Sequence, residues 1–216
     1  MSLVRTILIS ALLMVSSFSA FAGDELLNGG DVIECPSYEV PFYLSLDLYE
    51  GQAIYKLTPI DFTGIKDFRL ILKNLINRIA SFDATRANLY RTYLESFDRD
   101  SRFISGTEFG DIRDEGGVIA IPSGCQPKQA AAQFRSQTPD GIKYLFNATL
   151  WARMSPSVQA GLVMHEFIYR EGLLPKNNFK NSQRVRYFNA YVHSANMVQG
   201  TKTAYANAVS FAGFKN

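Results

Sequence analysis

The sequence predicts an α+β domain that is mostly helical and carries a small β-sheet. Three observations predict this class. Apolar residues recur at helical spacing from Ile65 to Ile79, and a second helical pattern follows Asp83. A Ser-Pro pair at Ser155 is typical of the start of a further helix. Only short strand-like runs lie between these helices, and no change of composition divides the chain, so we expect residues 23–216 to form a single globular domain.

The first 22 residues have the pattern of a secretory signal peptide. Arg5 precedes an apolar run from Ile7 to Val15, and Ala20 and Ala22 form a small-x-small cleavage site. An uncleaved anchor helix is the alternative, but the run is short and rich in Ser for a membrane span. We therefore predict an exported protein, periplasmic or secreted, with no transmembrane segment after removal of residues 1–22.

Charge and cysteine content narrow the function classes further. The full chain has 22 basic and 20 acidic residues, and loss of Arg5 with the signal leaves 21 basic against 20 acidic. This balance gives no basis for nucleic-acid binding. In an oxidising compartment we expect Cys35 and Cys125 to form a disulfide, which closes a loop of about 90 residues and stabilises the fold by up to roughly 4–5 kcal/mol. Two separate buried thiols are the alternative.

The chain can be divided into elements by periodicity, caps and breakers. Leu44, Leu46 and Leu48 alternate with polar or aromatic residues and predict a strand. Helices are predicted at 61–80, 83–97, 128–135, 155–171 and 183–198. Strands are predicted at 32–35, 44–48, 54–57 (the return arm of a hairpin), 118–121 and 142–148. The charged stretch 98–117 is expected to be a solvated loop. The tail 200–216 is small and polar and shows no repeat, linker or second domain.

The segment from Met164 to Glu171 is the candidate site. It places the His165–Glu166 pair within a helix that is otherwise apolar on most sides. Ionisable groups are rarely placed in such a helix without a partner or a task. The pair therefore marks a functional or structural centre.

Residues 142–172 resemble the zincin metallopeptidases. A strand and a short polar link lead into a helix that carries His165-Glu166-x-x-Tyr169, where that family carries His-Glu-x-x-His. The resemblance implies a zincin-like fold, His165 as a zinc ligand and Glu166 as the base that activates water. Tyr169 stands where the family has its second His ligand, and this departure weakens the expected metal affinity.

A further ligand must come from the rest of the chain. No acidic residue follows Glu171, and His193 is the only downstream imidazole. Arg186, Asn189 and His193 form one polar stripe on the last predicted helix. If this stripe faces His165, zinc is the cofactor of a metal-dependent hydrolase that acts on peptide or peptidoglycan, and its partners are cell-wall polymer or peptide.

Two other hypotheses use the same residues. Burial of Glu166 would raise its pKa and allow it to act as the acid of a lysozyme-like glycan hydrolase. Alternatively, the cluster is a polar network with no catalytic role, in which Glu166 pairs with Arg170 along the helix or with Arg186 across two helices. Tyr169, Asn189 and His165 would complete that network.

Overall fold

The computed structural model describes residues 26–37, 42–105, 109 and 121–215. The predicted signal peptide, most of the predicted loop at 98–117 and the predicted strand at 118–121 up to residue 120 lie outside these residues. Within them the fold is mixed α/β, with eight helices and two small sheets. None of the described helices is both long and apolar enough to cross a membrane.

Seven short strands build the two sheets, and the helices supply most of the remaining structure. The strands are β1 (Leu26–Asn28), β2 (Asp31–Cys35), β3 (Phe42–Ser45), β4 (Ser101–Ile104), β5 (Gln126–Gln129), β6 (Ala131–Phe134) and β7 (Tyr144–Asn147). The helices are α1 (Leu46–Tyr55), α2 (Phe68–Ala80), α3 (Ala84–Asp100), α4 (Ala148–Trp151), α5 (Pro156–Gly172), α6 (Gln183–Val192), α7 (Ala195–Val198) and α8 (Lys202–Phe211).

Each of the two sheets contributes a strand that packs against helix α5. One sheet has the order β1-β6-β7-β4, in which β6 is antiparallel to β1 and β7, and β4 is parallel to β7. The other has the order β3-β2-β5 and is antiparallel. Helix α5 packs against α2, α6, β3 and β6, and it is buried around most of its circumference. It is therefore the central element of the core.

Several predicted helix ends and the predicted disulfide are confirmed. Ser155 caps α5 by accepting a hydrogen bond from the Val158 amide, and Pro156 occupies the first turn. Asp83 caps α3 through the Arg86 amide at 2.9 Å. Cys35 and Cys125 form a disulfide that joins the end of β2 to the residue before β5. This disulfide is compatible with the predicted export of the chain.

The predicted strand through Leu48 and the hairpin return arm at 54–57 are wrong. Strand β3 ends at Ser45, whose side chain caps α1 by accepting from the Leu48 amide. Gly51, between the two predicted strands, lies within α1. A Cβ atom at Gly51 would lie 2.3 Å from the Cβ of Ala190, so this glycine permits close packing of α1 on α6.

The predicted helix at 128–135 is also wrong, because this segment forms β5 and β6. Its alanines favour a helix locally, but pairing with β2, β1 and β7 decides the structure. Ala130, Ala131 and Ala132 are fully or almost fully buried between the sheets and the helices. Tertiary pairing therefore overrides local propensity here.

The structure differs from prediction at several further places. Helix α2 begins at Phe68 with Asp67 as its cap, rather than at position 61. The last predicted helix ends at Val192, because Pro59 pairs with Ser194 and the Ile60 amide donates to the His193 carbonyl at 2.8 Å. No helix was assigned to the small, polar tail, which contains α8. The described part of the predicted loop at 98–117 includes the end of α3 and strand β4.

Candidate functional site

His165 and Glu166 lie in the middle of α5 and are removed from solvent. Their relative exposures are 1% and 0%. Adjacent residues on a helix point about 100° apart, so the two side chains enter different layers of the core. Each therefore finds its own set of partners.

His165 forms a buried ion pair with an aspartate that the sequence did not single out. Its Nδ1 lies 2.8 Å from Oδ2 of Asp47, which occupies the first turn of α1. The Asn189 side-chain amide donates to the same Asp47 oxygen at 2.6 Å and to the Gly161 carbonyl at 2.8 Å. The three side chains thus join α1, α5 and α6.

The electrostatics of this pair favour two charged groups. Burial alone would lower the pKa of His165, but attraction to Asp47 and their hydrogen bond raise it to about 9. Burial would raise the pKa of Asp47, but His165 and Asn189 reverse that effect and hold it below its ordinary value. At neutral pH the pair is an imidazolium and a carboxylate.

Glu166 points toward the sheet. One carboxylate oxygen accepts a hydrogen bond from the Gly30 amide at 2.6 Å. The other accepts from the Gln133 side chain at 2.9 Å, and the same Gln133 nitrogen donates to the Glu166 carbonyl at 3.1 Å. Burial raises the pKa of Glu166, although His165 and the two donors oppose this effect.

Two consecutive glycines make room for the Glu166 carboxylate. A Cβ atom at Gly29 would lie 2.6 Å from the Ala131 carbonyl oxygen and 2.7 Å from Oε1 of Glu166. At Gly30 it would lie 2.4 Å from a methyl carbon of Leu162. Side chains at these positions would push β1, β2 or α5 apart. The glycines are needed for this close approach.

The predicted pairings of Glu166 with Arg170 or Arg186 are not found among the ion pairs of the described residues. Arg186 donates instead to Glu50 of α1 at 2.7 Å, and both side chains are buried. Arg170 donates to Asp100 at 3.0 Å and to the Tyr144 hydroxyl at 3.1 Å. The polar stripe on α6 does approach the site, but through Asp47 and Glu50.

The remaining predicted residues lie near His165 without completing a ligand set. The ring of Tyr169 is buried and meets the ring of His165 edge-on, with 6.3 Å between centroids. His193 is buried at the end of α6, and its Nδ1 contacts the Asn189 carbonyl at 2.9 Å. Burial lowers the pKa of His193 to about 4, so this imidazole is neutral at physiological pH.

These residues do not fit a zinc centre well. The Nε2 atoms of His165 and His193 have no hydrogen-bond partner among the described residues, as a metal ligand would require. However, the same part of the chain contains no group of three His, Cys, Asp or Glu side chains that could hold a metal ion. The positive charge of His165 also opposes cation binding. The zinc roles of His165 and His193 and the catalytic roles of Glu166 and Tyr169 stay predictions.

A second ionic cluster lies one turn further along α5. Glu171 accepts from Arg86 at 3.0 Å and from the Tyr90 hydroxyl at 2.6 Å. Arg86 also donates to the Tyr205 hydroxyl of α8 at 3.0 Å. Helix α5 therefore connects to α3 and α8 through buried charge, as it connects to α1 and α6 through His165.

Comparison of the chain with protein-family models, curated proteins and solved structures finds no match. The site must therefore be interpreted from its own geometry.

Sequence reasoning missed the partners of the two central residues. Asp47 was assigned to a strand, and Gln133 to a helix. The Gly29-Gly30 pair was given no role, although two glycines directly before a strand can indicate close approach of another group. That pair was the one local signal for the Glu166 contact.

Proposed function

We propose that this is an exported, non-catalytic structural or binding protein in which the cluster around His165 and Glu166 fixes the packing of the fold. One observation carries the proposal. Both oxygens of the fully buried Glu166 carboxylate accept hydrogen bonds from protein donors, Gly30 and Gln133. A general acid or base must reach a proton on its substrate, and this carboxylate is directed into the interior.

The ion pair of His165 supports the same function. The buried imidazolium of His165 pairs with Asp47 and so joins α5 to α1. A protonated imidazole is poorly suited to bind a cation. Buried ionic groups of this kind can fix which elements pack together, since any other arrangement leaves a charge without a partner. The order of β7, a short link and α5 supports the zincin-like arrangement in which we place this network. The disulfide is compatible with export.

The Glu166→Gln variant tests the proposal. An amide cannot accept from both donors as the carboxylate does, so we expect the free energy of unfolding to fall by about 2 kcal/mol, the range for loss of a hydrogen bond to a charged group. Urea denaturation measures this value. Glu95→Gln is the matched control, because Glu95 is exposed on α3, and we expect its stability to be unchanged.

Metal content and activity distinguish the competing functions. We expect the purified protein to contain no stoichiometric zinc and to leave peptide and peptidoglycan intact. Zinc that is lost in His165→Ala, or a hydrolase activity that is lost in a Glu166→Gln variant of unchanged stability, would refute the non-catalytic assignment.

A further inference from the structure

A cleft open to solvent lies at the carboxyl end of α5, beside the connection between β6 and β7. Its volume is about 580 Å³, within the usual range for small-molecule sites. Three cationic side chains line it, Arg135, Lys143 and Arg170, and none of its lining residues is acidic. Its other lining residues are neutral: Ser136, Leu173, Leu174, Pro175 and Asn178. This cleft is separate from the buried contacts of His165.

Lys143 is the unusual member of this group. Its relative exposure is 5%, and its ammonium donates to the carbonyl oxygens of Phe134 and Arg135, the second at 2.7 Å. The ion pairs of the described residues do not include Lys143. A buried ammonium is unfavourable unless a charge partner or further hydrogen bonds compensate it. An ammonium has three donors, and these two carbonyls account for two of them.

Arg170, also in the lining, is held in a fixed position by its own contacts. Asp100 and the Tyr144 hydroxyl accept from its NH1 group, and its guanidinium lies 4.2 Å above the ring of Tyr93. Asp100 offsets part of its charge. The carboxyl end of α5 adds a partial negative charge of only about one half, which does not outweigh the three lining cations.

We propose that this cleft binds a phosphoryl group, with Arg135, Lys143 and Arg170 as the residues that carry the opposing charge. A phosphate monoester has nearly two negative charges and three strong acceptor oxygens at neutral pH, whereas a carboxylate has a single charge. Guanidinium groups match phosphate oxygens in a bidentate manner. Leu173, Leu174 and Pro175 provide an apolar wall for the organic part of the ligand. This site goes beyond the proposed function and does not depend on it.

The titration of Lys143 provides a second readout. Burial, together with the charges of Arg170 and Arg135, lowers its pKa to about 8, although Glu166 and Asp100 act in the opposite direction. Lys143 is therefore mainly protonated at pH 7. A bound phosphate monoester would stabilise the ammonium, so we expect the affinity for phosphate to fall as the pH rises through about 8.

Calorimetric titration of the purified protein with inorganic phosphate, at pH 7 and low ionic strength, tests this site. We expect saturable binding that is about tenfold weaker in Lys143→Gln and in Arg135→Gln, since each removes one charge-assisted contact. Lys176→Gln is the matched control, because Lys176 is exposed nearby and does not line the cleft. Arg135→Gln keeps the test valid if Lys143→Gln does not fold, because Arg135 is less buried than Lys143.

Further ligands identify the source of the phosphoryl group. Glycerol phosphate that binds more tightly than inorganic phosphate indicates a soluble organic phosphate. Phosphatidylcholine vesicles that retain the protein only when they contain phosphatidic acid indicate a lipid headgroup, provided that Lys143→Gln abolishes retention. The assignment is overturned if acetate binds as tightly as phosphate, if neither phosphate nor these vesicles bind, or if Lys176→Gln weakens binding as much as the cleft variants do.

Discussion

Asp47→Asn should reveal how much the buried pair with His165 stabilises the fold. The substitution keeps the size of the side chain and removes its charge. The folded-state pKa of His165 is about 9, against about 6.5 in the unfolded chain. A raised folded pKa means that the stabilisation is fully present below pH 6.5 and is lost as the pH rises through 9.

The linkage relation gives the size of this effect. A shift of this size corresponds to about 2.5 kcal/mol at pH 7 and about 1.4 kcal/mol at pH 8. We therefore expect Asp47→Asn to lower the free energy of unfolding by about these amounts, with the difference from wild type shrinking by about 1 kcal/mol over that interval. Lys143 also titrates near this interval, because its pKa is lowered to about 8. It is present in both the wild type and the variant, so its contribution cancels in the difference between them.

Urea denaturation at the two pH values, followed by circular dichroism, measures these free energies. Asp98→Asn is the control, because Asp98 pairs with Arg69 at the surface and such pairs contribute little. If the loss caused by Asp47→Asn is the same at pH 7 and pH 8, His165 is not the group that titrates. If the loss is no larger than that of Asp98→Asn, the pair does not stabilise the fold, and the network we describe is not structural.

Two further predictions concern close packing and the disulfide. Gly29→Ala places a Cβ atom against the Ala131 carbonyl and the Glu166 carboxylate. We expect the free energy of unfolding, measured by thermal or urea unfolding, to fall by about 3 kcal/mol because of overpacking and a weakened charged hydrogen bond. An unchanged midpoint would mean that Glu166 does not approach this glycine. Cys125→Ser opens the bond to Cys35, and we expect a loss of up to about 4 kcal/mol. Wild-type protein in dithiothreitol should then match the variant, and a midpoint that does not respond to reductant would exclude the bond.

The features that depend on neighbouring residues could be predicted from the sequence. Helix α5 and its cap follow from Ser155, Pro156 and the apolar run after them, and α3 follows from Asp83. The disulfide follows from the presence of only two cysteines in a chain expected to be exported. The helix signals involve residues close together in the sequence, and two cysteines allow only one pairing within the chain.

The partners of the central charges could not be predicted in the same way. Asp47 lies 118 residues from His165, and Gly30 lies 136 residues from Glu166. Arg170 and Arg186 were nearer in sequence and of suitable charge, so local reasoning preferred them. The choice among distant acids and donors depends on how α1 and β6 pack, and both elements were assigned wrongly because Gly51 and the alanines of β6 are used for packing.

Helix α5 has a consequence for how the chain folds. Its four ionic side chains at positions 165, 166, 170 and 171 meet partners 118, 136, 70 and 85 residues away. If α5 packed into the core before these partners did, its charged side chains would be buried without partners. Partly folded forms of this kind are therefore high in free energy. Contacts between such remote segments slow the search for the native arrangement. We therefore expect this region to acquire its final structure late and all at once, as a single kinetic phase.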